Sequence, residues 1–357
     1  MFLRPVSNRK GVHIISELSL FIPKLKALSL AQQGGRYLLL VMLFGLLSAC
    51  SSPRTIALSA DILGVSSGDA VAQTKRAKKV LVLNSNQSVE RYQIAESSFV
   101  GAMGGRDIQV MDLQNMDKPV EFIQDQLNAQ RYDLIYAIGA KALGSVNLID
   151  PNMPVVYSAV LNWRRFKQQE NYFGISSELS PQVQLTWFKY FFPDIKAIGV
   201  LYSQENANMI DEAKQLSGNL GIKLIATQVR SEQHLKSSVK HLLNEVDALW
   251  LISDSHILSS VDKVKQFFVL ADEKQIPVLT YNPVFIEMGA VMSLAADLPT
   301  IGRQAALLAN DLLAKDAPAE AIQFPVGSRI MLNSQRVRQY DMKLNASALG
   351  SVDEIFP

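Results

Sequence analysis

Lys79-Val80-Leu81-Val82-Leu83-Asn84, followed by a longer amphipathic run from Tyr92 to Met103, sets the pattern on which the fold reading rests. Four consecutive apolar residues without polar alternation describe a strand buried on both faces, and the run after it has the length and spacing of a helix. A strand covered on both faces needs helices on each side, as parallel βαβ units provide. The alternation repeats. The strand Ile108 to Leu113 precedes a helix from Val120 to Gln130, and the strands Leu134 to Ile138 and Val155 to Val160 complete a first set.

After the stretch from Asn162 to Ser177 the pattern starts again. A helix from Pro181 to Phe192 stops at Pro193, and the strand Ala197 to Tyr202 leads into the helix Asn208 to Leu220. The strand Lys223 to Val229, the helix Glu232 to Asn244, the strand Ala248 to Ile252, the helix Ser260 to Lys274 and the strand Pro277 to Tyr281 follow. A late helix, Ile301 to Leu313, and the strand Gln323 to Leu332 finish the body. Each crossover is long enough to hold a right-handed helix, so the expected fold is α/β with two doubly wound, Rossmann-like lobes. Ligands in such sheets collect at the strand carboxyl ends, where loops and helix N-termini present unpaired N–H groups. Two sheets facing one another make a cleft.

Upstream of this body a basic leader and an uncharged apolar run, Tyr37 to Ala49, end in Leu47-Ser48-Ala49-Cys50. The run is too short for an ordinary membrane-spanning helix, and small residues precede the cysteine, which is the pattern of a processed bacterial lipoprotein signal. Residues 1–49 are read as that signal, with Cys50 as the lipidated first residue and residues 50–78 as the anchor and a Ser/Ala/Gly-rich tether. Buried acyl chains at ~0.8 kcal/mol per CH₂ hold such a domain on a membrane, so an extracytoplasmic, lipid-anchored protein on the periplasmic face is expected. Ser51 in place of an aspartate leaves an outer-membrane destination open. Residues 1–36 form a long stretch ahead of the apolar run with no methionine between Met1 and Met42, which suggests translation from a downstream non-Met codon.

Removing residues 1–49 leaves 308 of the 357 residues, which suits two lobes better than one core. The leader carries six Lys/Arg and one Glu, so the net charge of +2 becomes −3 without it. No basic block with interleaved aromatics remains to ask for nucleic acid. Cys50 is the single cysteine, which excludes disulfides within the chain.

Catalytic chemistry is weakly represented. His234 and His241 lie seven apart on one expected helix face, too far for joint metal ligation, and His256 follows a strand end beside Ser253-Asp254-Ser255. Ser237 to Lys240 and Ser260 to Lys263 satisfy a Ser-x-x-Lys spacing without the companion motifs of acylating enzymes. Gly101-Ala102-Met103-Gly104-Gly105 ends a helix instead of opening one, so it reads as a cap and not as a phosphate cradle. No enzyme, cofactor or metal is implied.

Pro193-Asp194-Ile195-Lys196-Ala197-Ile198-Gly199-Val200-Leu201-Tyr202 resembles the tryptophan/tyrosine-type ABC transporter substrate-binding proteins, a branch of the type I periplasmic-binding fold. Asn206-Ala207-Asn208, Ser253-Asp254, Ile276-Pro277-Val278, Gly289-Ala290 and Gly302-Arg303-Gln304 follow in family order. The resemblance covers roughly Lys79 to Leu344. It implies two lobes joined by three crossovers, closing on a small organic ligand such as an amino acid, with an ABC permease as partner and a monomeric state. By that analogy residues 79–172 and 292–319 form the first lobe, 173–291 and 320–345 the second, and 346–357 a tail.

Carried over position by position, Asn208, Ser253 and Asp254 face the cleft from the second lobe, and Asn282 stands where the family often has an aspartate. From the first lobe, Asn84 and Ser85 follow the first strand, Gly139 and Ala140 the third, and Ser158 lies on the fourth. Hydroxyl and amide groups at strand ends are suited to orienting a carboxylate or an ammonium, and equally suited to turns and helix caps. The chain departs from the family pattern at Leu161-Asn162-Trp163-Arg164-Arg165, at Gln169-Glu170-Asn171-Tyr172 and at Tyr281. An aromatic and two arginines there fit either a larger or more acidic ligand or hinge packing. The rival functional reading is a regulatory or scaffold lipoprotein of the same fold, acting on an envelope enzyme or sensor kinase.

Overall fold

The computed structural model describes residues 77–316 and 318–357; the signal segment, Cys50 and the tether up to Arg76 lie outside the described residues. β1 (Lys79–Asn84) stands inside the first sheet, parallel to β2 (Asp107–Asp112) on one side and β3 (Leu134–Ile138) on the other. β4 (Val155–Ser158), β5 (Tyr172–Ile175) and the two-residue β11 (Ile322–Gln323) extend it beyond β3, all parallel. Val80 to Leu83 are fully buried, as a strand covered on both faces requires.

The second sheet repeats the scheme. β6 (Ala197–Tyr202) lies between β7 (Lys223–Gln228) and β8 (Ala248–Leu251), and β9 (Val278–Thr280) and β10 (Met292–Ala296) continue in parallel. β12 (Ser328–Asn333) runs antiparallel to β10, and β13 (Glu354–Phe356) pairs with β12. In each sheet the chain reverses its direction of travel once, between β1 and β3 in the first and between β6 and β8 in the second. Loops leave these neighbouring strands on opposite faces and open a crevice at their carboxyl ends.

Local chemistry sets the element ends. Ser180 Oγ accepts from Val183 N at 3.3 Å and Pro181 opens the helix Pro181–Phe191, whose continuation Pro193 blocks. The helix Glu90–Met103 stops at Gly104 and Gly105, both with positive φ, as the glycine cluster suggested. The helix Leu298–Ala314 is capped by Asp297, whose carboxylate accepts from Thr300 N at 3.0 Å. It packs tightly on Glu90–Met103 at Gly302, where a Cβ would stand 2.5 Å from Ala95 O.

Lobe membership differs from the expectation at four places. Tyr172–Ile175 pairs with β4 and stays in the first sheet, so the first crossing falls after Ile175. Met292–Ala296, expected with the first lobe, pairs with β9 and β12 in the second sheet, and the chain leaves only at Asp297. The single strand expected from Gln323 to Leu332 is two strands in two sheets, because Pro325 lacks the N–H that a continuous ladder needs. The segment 346–357, expected as a tail, forms the 3₁₀ helix Ala346–Ser351 and β13.

The three crossings are laced together: Ser176 N donates to Gln323 O at 2.9 Å and Asp297 N to Gly327 O at 3.1 Å. A helix Gly139–Ile149, not anticipated, fills the connection between β3 and β4. Among the described residues no helix is long and apolar enough to cross a membrane.

Candidate functional site

At the crevice of the first lobe the polar side chains bind the loops to one another. Asn84 Oδ1 accepts from Asn86 N at 2.9 Å while its Nδ2 donates to Glu96 Oε2 at 2.7 Å. Ser85 Oγ donates to Ile138 O at 2.7 Å and accepts from Ala142 N at 3.0 Å, tying the end of β1 to the helix after β3. Gly139 holds a φ of +83°, and a Cβ there would lie 2.7 Å from both Ser85 Oγ and Tyr92 Cζ. Ala140 sits half-buried in the first turn of that helix. Ser158 is buried and shares a 2.6 Å hydrogen bond with Tyr136 Oη, whose ring stacks on Phe99 with centroids 4.0 Å apart.

The second lobe is organised around Asp254, which is 1% exposed. Its Oδ2 accepts from Ser203 N at 2.7 Å and Asn206 Nδ2 at 2.9 Å, and its Oδ1 from His256 N at 3.0 Å and Ile257 N at 3.1 Å. Four donors on one carboxylate fix the loops after β6 and β8 as a unit. Ser253 is buried and its main-chain oxygen accepts from Asn206 Nδ2 at 3.2 Å, and Asn282 Oδ1 accepts from Val284 N at 3.1 Å. Asn208 is exposed on the helix Ala207–Asn219, whereas Asn206, two residues earlier, is buried. The asparagine that enters the loop network is therefore Asn206.

The lobes meet at the connection between β4 and β5 around Asn162. Leu161 packs against the apolar cluster of the second lobe that contains Tyr281 and Ile257. Asn162, in the left-handed region at φ 48° and only 3% exposed, donates from its main chain to Glu178 Oε1 at 2.8 Å. Its Nδ2 reaches across to Glu205 Oε2 at 2.7 Å, and Glu205 also accepts from Ser255 Oγ at 3.2 Å and lies 3.3 Å from His256 Nε2. Arg164 pairs with Glu178 at 3.1 Å and lies over the Trp163 ring.

Two further arginines are held differently. Arg91 donates to Tyr92 Oη at 2.9 Å and lies over that ring, and Arg165 lies over Phe166. The Nε of each is buried without a hydrogen-bond partner among the described residues, as are Asn162 Oδ1, Ser203 Oγ and Thr280 Oγ1. Burial draws the Arg165 guanidinium below its usual range, while the charge of Glu205 and the Tyr92 hydroxyl pull it back up. Burial pushes the Tyr281 hydroxyl up; its bond from Ser253 and the charge of Arg91, carried by the other lobe, oppose this.

A family model described as "ABC transporter substrate binding protein" matches residues 105–355. The chain belongs to this family. Its members bind substrates for a transporter and are not enzymes. A tyrosine-binding protein of Clostridioides difficile (strain R20291) is 24% identical over 264 residues, 69% of this chain and 74% of that protein. Among solved structures, the ligand-free, open form of a Clostridium difficile substrate-binding protein with adhesive properties has a TM-score of 0.60 at 18% identity, covering 78% of this chain and 99% of that one. An ABC domain in complex with L-Trp from Streptococcus pneumonia has a TM-score of 0.55 at 20% identity over 78% of this chain and 100% of that one. These likenesses support the type I periplasmic-binding fold and its pair of mostly parallel sheets.

Within this family fold, most of the residues named from the sequence lie at the strand ends where ligands bind, but the bonds of Asn84, Ser85, Ser158 and Asp254 are already made within the loops. Ten buried side-chain polar atoms among the described residues are left over; those of Arg91, Ser203 and Thr280 lie at or just after strand ends and those of Asn162, Trp163 and Arg165 on the connection between β4 and β5, while the others belong to Asn147, Gln169, Ser177 and Ser293. Arg164 and Arg165 stood out as departures from the family pattern. Arg91 did not, although a cation in the first turn of a helix opposes the helix dipole and is itself a signal.

Proposed function

We propose that the protein is a membrane-anchored, extracytoplasmic solute-binding lipoprotein that closes its two lobes over one small organic solute, an amino acid or a close analogue, and presents it to an ABC permease. The observation that carries this reading is that, of ten buried polar atoms without partners among the described residues, five lie at or beside strand ends and the β4–β5 connection, on Arg91, Asn162 and Arg165 in the first lobe and on Ser203 and Thr280 in the second. Buried polar atoms are normally satisfied, so a site that leaves several of both signs unpaired is prepared for a guest. The tyrosine-binding relative and the L-Trp complex favour an amino acid with a ring.

In this reading Asn84, Ser85, Gly139, Ala140, Ser158, Ser253, Asp254 and Asn282 hold the loops in place, and the unpartnered groups touch the solute. Ligand bound only by the native state raises its melting temperature. A thermal-shift screen of the full chain against the standard amino acids and their common derivatives is expected to yield at least one stabilising compound at millimolar concentration. A flat screen overturns the reading.

A further inference from the structure

The carboxylates that act on the site residues are all engaged. Glu205, which acts on Arg165, accepts from Asn162, Ser255 and His256. Glu178 and Asp254, which act on Tyr281, are held by Arg164 and Asn162 N and by four donors in turn. Glu96, whose charge reaches Tyr136, accepts from Asn84 on one oxygen and from Gln87 on both. The cations are divided unequally. Arg164 has its carboxylate, whereas Arg91 and Arg165 form no ion pair among the described residues and each keeps a buried, unpartnered Nε–H.

An amino acid offers one carboxylate and one ammonium. The first finds two guanidinium groups that form no ion pair among the described residues, although Glu205 lies near enough to act on Arg165, and charge-assisted bonds from arginine to carboxylate are the strong ones. The second finds only neutral acceptors, Asn162 Oδ1, Ser203 Oγ and Thr280 Oγ1. The Asn162 oxygen is fixed in that role because its amide nitrogen donates to Glu205. A buried ammonium facing neutral acceptors gains ordinary hydrogen bonds and loses its hydration, so its net contribution is small.

Building on the solute-binding reading, we infer that Arg91 and Arg165 form a carboxylate clamp and that the site takes small organic acids, the amino group of an amino acid being dispensable. Desamino analogues are then ligands in their own right, and decarboxylated amines are not.

Calorimetry on the full chain with two matched series tests this: L-tyrosine, 3-(4-hydroxyphenyl)propionate and tyramine, and L-tryptophan, indole-3-propionate and tryptamine. Each acid is expected to bind within about 10-fold of its amino acid, and each amine at least about 100-fold more weakly, the cost of leaving two buried guanidinium groups without a counter-ion. An amino acid that binds while its desamino acid is lost by more than 100-fold overturns this inference and leaves the solute-binding reading standing. An amine that binds as well as its acid also overturns it. Silence from all six compounds overturns it too, and the broader screen then decides whether solute binding itself survives. Arg91→Gln and Arg165→Gln are each expected to weaken the acid about 10- to 100-fold without lowering the unliganded melting temperature. Unchanged acid affinity in both folded variants refutes the clamp, and the two ligand series on the native chain decide the matter if a variant does not fold.

Discussion

The loops that follow β1, β3, β6 and β8 and the segment Asn162–Phe166 border the same interlobe site, yet they treat their polar atoms in opposite ways. In the strand-end loops most of the buried polar side chains are bonded, Ser203 Oγ excepted: Ser85 joins β3 to its helix, and Asp254 gathers four donors from two loops. In the β4–β5 connection Arg165 Nε and Asn162 Oδ1 are buried and unpaired, although Arg164 next door has a carboxylate at 3.1 Å. The first kind of residue keeps a frame rigid; the second is left open toward whatever enters.

That contrast breaks most visibly at Asp254. Replacing Asp254 by Ala strands three main-chain N–H groups, two of them buried, and Asn206, for a loss of about 3–5 kcal/mol in urea unfolding, while affinity per folded molecule stays within about 3-fold. A folded variant that loses all ligand affinity moves Asp254 from the frame to the contact set. Gly139→Ala is next, since it forces a side chain into positive φ and against Ser85 and Tyr92. About 2–3 kcal/mol of destabilisation is expected, again with little change in affinity. The smallest effect sharpens the comparison from the other side: Asn208→Ala, at an exposed position, should change stability by less than about 0.5 kcal/mol and leave calorimetric affinity unaltered. A large loss of affinity there would return Asn208 to the site.

Periodicity carried most of the fold because its signal is local. Val80 to Leu83 and Ala197 to Tyr202 announce buried strands by their own side chains, and the caps at Ser180 and Gly104 lie beside the helices they bound. What stayed illegible depends on distant partners. Met292–Ala296 reads as a strand in either sheet, and only its pairing with Leu332 to Ser328, more than thirty positions away, decides which. The helix Gly139–Ile149 opens on glycine and carries Gly144 and Ser145, so its propensity is weak and packing of Ala142, Leu143 and Val146 supports it instead.

The site was legible to the same degree. Strand ends could be named from the sequence, but whether a side chain there is already bonded could not, because the partners of Asp254 on the β6 loop lie 51 and 48 positions away. The arginines at positions 164 and 165 look alike in sequence. Glu178, which separates their roles, is brought beside one of them only by the first crossing.

The lacing of the three crossings has a mechanical consequence. A single connecting strand would let the halves swivel freely, but three main-chain segments joined by the Ser176–Gln323 and Asp297–Gly327 bonds behave as a narrow ribbon, stiff to torsion and yielding only to bending. Any relative motion of the halves would thereby be steered along one arc, keeping Asn162 in line with Glu205.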